Sequence, residues 1–184
     1  MTVRKPFILL TAAAATLSLA PAALAADDST TVSVTLQAGS LTIAAPDAAS
    51  LGTISVAPGS VATAAMGETT VTDARGTLLG WSVTALTTTA SMSTAGATPK
   101  TIPLTAAAPL GLVTGTVTAG TGSLLSGVSA GAGGFLNNTT PVPVAVSLLG
   151  AGGGTYTYNP TLTFTVPPNT EAGTYSVVVT QTVS

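Results

Sequence analysis

The stretch ETTVTDARGTLLGWSVTAL (68–86) decides the fold class. Its first half places Thr69, Val71 and Asp73 on one side of an extended chain and Thr70 and Thr72 on the other. Its second half repeats the pattern, with Trp81, Val83 and Ala85 sharing a face. Alternation of period two over five to seven residues is the signature of a half-buried strand. Gly76 and Gly80 bound the turn between the halves, so the stretch predicts one β-hairpin that holds Asp73, Arg75 and Trp81. Asp73 and Arg75 are two apart and predict an exposed ion pair, worth at most about 1 kcal/mol.

The same alternation recurs outward in both directions. TVSVTLQ (31–37), SLTIA (40–44), TIPL (101–104), GLVTGTV (111–117), VPVAVSLL (142–149), TYTYNPTLTFTV (155–166) and TYSVVVTQTV (174–183) are further candidates. In the last, Tyr175, Val177, Val179 and Val183 share one face. Turn signals such as AAPD, APGS, TAGTG, GAGGG and PPNTEAG separate these runs, and no segment beyond the N-terminus has a helical period. The Thr/Val bias is a strand bias. The expectation is an all-β, antiparallel β-sandwich of about nine or ten short strands in a single domain. The Gly/Ala/Ser-rich run 118–138 is expected to be a long excursion between strands.

The N-terminus reads differently. Arg4 and Lys5 precede an apolar run from Phe7 to Leu19, followed by Pro21 and the small-residue site Ala23-Leu24-Ala25. This order predicts a secretory signal peptide over residues 1–25, leaving a domain over 26–184. Asp27-Asp28 and Pro21 argue against a retained anchor. The mature chain is expected outside the cytoplasm, with no membrane insertion.

After that cleavage the chain has two basic and six acidic residues, a net charge of −4. Without a basic patch, no nucleic-acid partner is expected. There is no cysteine, so the core alone must hold the fold, and attachment through a lipidated cysteine is excluded. The final TYSVVVTQTVS carries no L-P-x-T-G signal, so any attachment to a surface is expected to be non-covalent.

The absence of His and Cys removes thiol catalysis, His-based triads and the usual zinc sites. Glu68 and Asp73 are five apart on a strand and point to opposite faces, so they do not form a facing carboxylate pair. No cluster of the D-x-D-x-D kind exists for calcium. No catalytic residue, metal site or cofactor is expected, and the chain is not expected to be an enzyme.

The stretch TTVTDARGTLLGWSVTA resembles the first signature of the WxL-domain family of Gram-positive cell-surface proteins. Trp81-Ser82-Val83 stands where that family has Trp-x-Leu, with Val in place of Leu. The family's second signature resembles YNPTLTFTVPP: Tyr158, then Leu162, Thr163, Phe164, Thr165, Val166 and Pro167, with Phe in place of Trp and Val in place of Leu. The resemblance spans residues 30–184. It implies a secreted protein held non-covalently on the cell wall through peptidoglycan, beside a membrane-anchored surface partner protein. It also implies that Trp81, Val83, Tyr158, Phe164 and Val166 belong to the binding region. Since Phe164 and Val166 alternate with Thr163 and Thr165, both signatures also read as core strands, with the binding surface elsewhere. A structural subunit of a pilus or surface layer is the alternative, supported by the alternating segment 31–37 and the bare C-terminal strand, either of which can add to a neighbour's sheet edge.

Overall fold

A computed structural model of the chain describes residues 30–105 and 109–184. Residues 1–25, read above as a signal peptide, lie outside the described residues. The chain divides into two compact units, Met1–Thr35 and Leu36–Ser184. In the first, the described residues 30–35 are exposed and irregular. The second is an all-β domain of sandwich type, every strand pair antiparallel.

In chain order the strands are β1 (Leu41–Ala44), β2 (Val61–Ala65), β3 (Thr69–Asp73), β4 (Trp81–Thr87), β5 (Ser91–Thr94), β6 (Thr101–Pro103), β7 (Leu110–Val113) and β8 (Thr118–Ala119). There follow β9 (Val128–Ala130), β10 (Gly134–Phe135), β11 (Val142–Ser147), β12 (Gly154–Tyr158), β13 (Thr161–Thr165), β14 (Tyr175–Ser176) and β15 (Val179–Val183). They form four sheets, ordered β1-β3-β12-β8, β10-β7-β13-β2, β15-β4-β11-β9 and β14-β5-β6.

The alternation that predicted strands also sets the core. β4 buries Trp81, Val83, Ala85 and Thr87 and half-exposes the residues between them. β3 does the same with Thr69, Val71 and Asp73. Tyr156 on β12 lies opposite Val71, and its ring centroid is 5.6 Å from that of Trp81, so the two largest inward rings join sheets. β11 shifts register against β4 between Pro143 and Ala145, and there both Val144 and Ala145 are buried. A bulge of this kind turns two consecutive side chains inward.

The strand count of fifteen among the described residues exceeds the expected nine or ten. Two runs read as single strands are each two. Asn159-Pro160 separates β12 from β13, because Pro160 has no N–H to continue a ladder, and its carbonyl accepts from Met66 instead (2.7 Å). The final run divides into β14, paired with β5, and β15, paired with β4. The 118–138 stretch is not an unpaired excursion, because β8, β9 and β10 dock on β12, β11 and β7. These two- and three-residue strands are too short to display a period. The predicted strand at 31–37 is absent: Val32, Val34 and Leu36 are 83–89% exposed, and the β1 ladder begins only at Gly39, whose N–H donates to Ala74. Alternation makes a segment able to pair, but it does not by itself supply a partner strand.

Candidate functional site

The turn that opened the sequence is tied down by its charged residues. Asp73 ends the inward face of β3 and is buried. Arg75 folds back on it, donating Nε to Oδ1 (2.9 Å) and Nη2 to Oδ2 (2.9 Å), while its backbone N–H donates to Oδ1 (3.0 Å). The same Nη2 donates to the Gly80 carbonyl (2.7 Å), closing the loop just before Trp81. The pair is therefore not the exposed ion pair expected, since the Asp73 side chain is only 2% accessible. The bidentate guanidinium holds the Asp73 carboxyl below the usual carboxylate range, against the opposing effect of burial.

Trp81 continues the latch. Its Nε1 donates to the Gly152 carbonyl (2.9 Å) in the loop before β12. Gly152 has φ 85°, and a Cβ there would overlap the Trp81 indole nitrogen and the Ser147 hydroxyl. β3 and β4 are not the hairpin expected: β3 pairs with β1 and β12 and β4 with β11 and β15, in different sheets, so the turn carries the chain from one sheet to another. Asp, Arg and Trp are clustered because together they fasten β3, β4 and the 148–153 loop.

All five residues assigned to binding by resemblance are buried, Phe164 being the most accessible at 9%. Val83 pairs with Ala145 and Val183. The Tyr158 hydroxyl donates to Gln181 Oε1 (2.8 Å), and Gln181 Nε2 donates to Thr69 (3.2 Å). Burial pushes the Tyr158 phenol up. Trp81 and Val83 belong to β4, Phe164 and Val166 to β13 and its extension, in different sheets. The structure does not gather the five on one surface.

Phe164 and Val166 do reach an opening. They line a cleft of about 640 Å³ whose floor includes Met92 and Ile102 and whose wall carries Tyr175. Segment 46–56 lines it with Ser50, Thr53 and Ser55, and Thr170 and Thr174 line it as well, the Thr170 hydroxyl donating to the Pro167 carbonyl (2.8 Å). The Tyr175 ring is half-buried and its hydroxyl donates to the Glu171 carbonyl (2.9 Å). An apolar floor with a hydroxyl rim can hold a neutral ligand that presents both C–H faces and hydroxyls. Two carboxylates, Asp47 and Glu171, border the cleft; both are exposed, and Glu171 pairs with Lys100 (2.7 Å). Sequence reasoning passed over segment 46–56 because it runs between two turn signals, AAPD (44–47) and APGS (57–60). Tyr175 was legible as an inward residue of the last strands, but not as a cleft wall.

Comparison with protein-family models, curated proteins and solved structures returned no match. Among the described residues no helix is long and apolar enough to cross a membrane. Function is therefore argued from the fold, the cleft and the resemblance of the two signatures.

Proposed function

We propose that the mature chain is a secreted surface protein that associates non-covalently with cell-wall peptidoglycan as a binding and structural module. One observation carries this reading: the second signature strand, through Phe164 and Val166, forms the floor of the hydroxyl-rimmed cleft walled by Tyr175. Glycan strands are uncharged over long stretches and offer apolar ring faces between hydroxyls, which suits a cleft of that lining. In this reading the first signature is a fold-setting latch, and the glycan touches Tyr175 and the Ser/Thr rim rather than Trp81. A membrane-anchored surface partner is proposed on the resemblance alone.

Pelleting of purified Ala26–Ser184 with isolated peptidoglycan tests the proposal. The wild-type protein is expected in the pellet. Tyr175→Ala is expected to weaken association by about tenfold or more, as for an aromatic contact at the centre of a site. Wild-type protein that stays in the supernatant overturns the proposal.

A second reading is a self-assembling subunit of a pilus or surface layer. The observation favouring it is the segment 31–37, whose three apolar residues stand exposed without a partner strand of their own. Such a segment can add to the sheet edge of another copy. Size-exclusion chromatography without wall material separates the two readings: a monomer supports wall binding, and large species abolished by removal of residues 26–37 support assembly.

A further inference from the structure

The cleft over Phe164 is bordered by backbone that has no ladder partner. Segment 46–56 lines it along its whole length. Among the described residues, no backbone group of 46–56 bonds to another backbone group, and the Gly52 N–H donates only to the nearby Ser50 hydroxyl (3.2 Å). Side chains hold the segment instead, Leu51 and Ile54 packing half-buried against the core. β14 lines the same cleft and is the terminal strand of its sheet, paired with β5 alone. β2, which contributes Ala62 to the lining, is also terminal and pairs with β13 alone. An unpaired segment and two terminal strands thus surround an apolar floor of Phe164, Met92 and Ile102. Strand edges of this kind are templates for one more strand.

We propose, on the self-assembly reading, that the cleft receives segment 31–37 of a second copy as an added strand. Three observations choose that occupant. First, unpaired N–H and C=O groups in a row are matched by an extended polypeptide, which offers the complementary groups at the same spacing. Second, segment 31–37 has the pattern such a seat reads. Val32, Val34 and Leu36 fall on one face, Ser33, Thr35 and Gln37 on the other, and the three apolar residues are 83–89% exposed. In the cleft the first face meets the apolar floor and the second the hydroxyl rim. Its seven residues span about 23 Å when extended, shorter than the eleven-residue wall 46–56. Third, the chain enters β1 at the end remote from the cleft. The Gly39 N–H donates to Ala74 O (2.8 Å) and the Ala74 N–H to Ser40 O (3.0 Å), whereas the cleft wall begins at Pro46, beyond the other end of β1. A segment that turned back at Ala38 would use its roughly 23 Å only to regain the level of Pro46. Another copy's segment has no such tether. A cleft filled in this way leaves no room for glycan, so a copy holding its neighbour's segment is closed to the wall.

A fluorescent peptide of residues 26–37 tests the seat when titrated into the mature chain bearing V32D/V34D. That chain keeps an intact cleft but has its own segment disabled. Both valines are exposed, so the variant is expected to keep the wild-type melting temperature, measured as a control. Saturable binding of one peptide per chain is expected. The peptide carrying V32D/V34D is expected to bind about tenfold or more weakly, because a carboxylate pressed on an apolar floor loses its hydration. A photo-crosslinking residue in place of Val34 of the peptide is expected to attach within 46–56 or 170–179. In the whole mature chain, the same residue is expected to link an ordinary copy to an isotopically heavy one. No saturable binding, equal binding by the substituted peptide, or attachment elsewhere overturns the proposal. So do links confined to one chain. Large species that need residues 26–37 but link outside the cleft would leave self-assembly standing and this seat wrong. A wild-type chain that is monomeric at every concentration would remove both.

Discussion

At the scale of single residues, Trp81 is where stability and function are most easily confused. Its ring is buried against Tyr156 and its indole N–H is used by Gly152. Trp81→Ala is expected to cost about 3–5 kcal/mol in a denaturant melt, and any loss of wall association should then track the fraction unfolded. Asp73→Ala is expected to cost about 2 kcal/mol, more than an exposed pair, because a buried carboxylate that accepts three bonds is removed. The loss stays below that of a fully buried pair, since Arg75 remains partly solvated and keeps its bond to Gly80. The pH dependence follows in sign. The Asp73 pKa is lowered on folding, chiefly by the side-chain bond from Arg75, so its contribution is full above the unfolded value of about 3.9. It is lost as pH falls through the lower folded value. Melts of wild type and Asp73→Asn should therefore differ at neutral pH and converge in acid. The Asp73–Arg75 pairing was legible from a spacing of two, but its burial was not. Burial depends on β1 and β12 flanking Asp73 through Leu41 and Gly154, residues far from it along the chain, which no local pattern encodes.

At the scale of elements, the alternating runs were read correctly in β3, β4, β11 and β12, whereas β2 (VATAA) and β5 (SMST) were missed, because alanine, serine and threonine give too little polarity contrast to show a period. The short strands β8, β9 and β10 and the break at Pro160 were hidden, because two or three residues cannot express a period. Segment 31–37 fails in the opposite direction, with a clear period and no strand pairing. Its exposure carries a prediction: protein beginning at Ala38 should melt within about 2 °C of protein beginning at Ala26, since exposed residues away from special contacts contribute little. A marked drop in melting temperature would mean that 31–37 pairs within the monomer.

At the scale of the whole molecule, the domain separates two tasks. The Asp73–Arg75–Trp81 latch fastens the sandwich, and the cleft over Phe164 and Val166 is the proposed glycan seat. The sequence placed both signatures on core strands, and the structure has all five of their named residues buried. It could not place the cleft, because its walls come from segment 46–56, β13 and the stretch around Tyr175, which meet only after folding. Hydrogen–deuterium exchange of the mature protein with and without soluble peptidoglycan fragments tests the central claim most directly. The account predicts protection confined to residues 46–56 and 170–179, with the 76–81 turn unchanged. Protection centred on the 76–81 turn, or no protection anywhere, would contradict it.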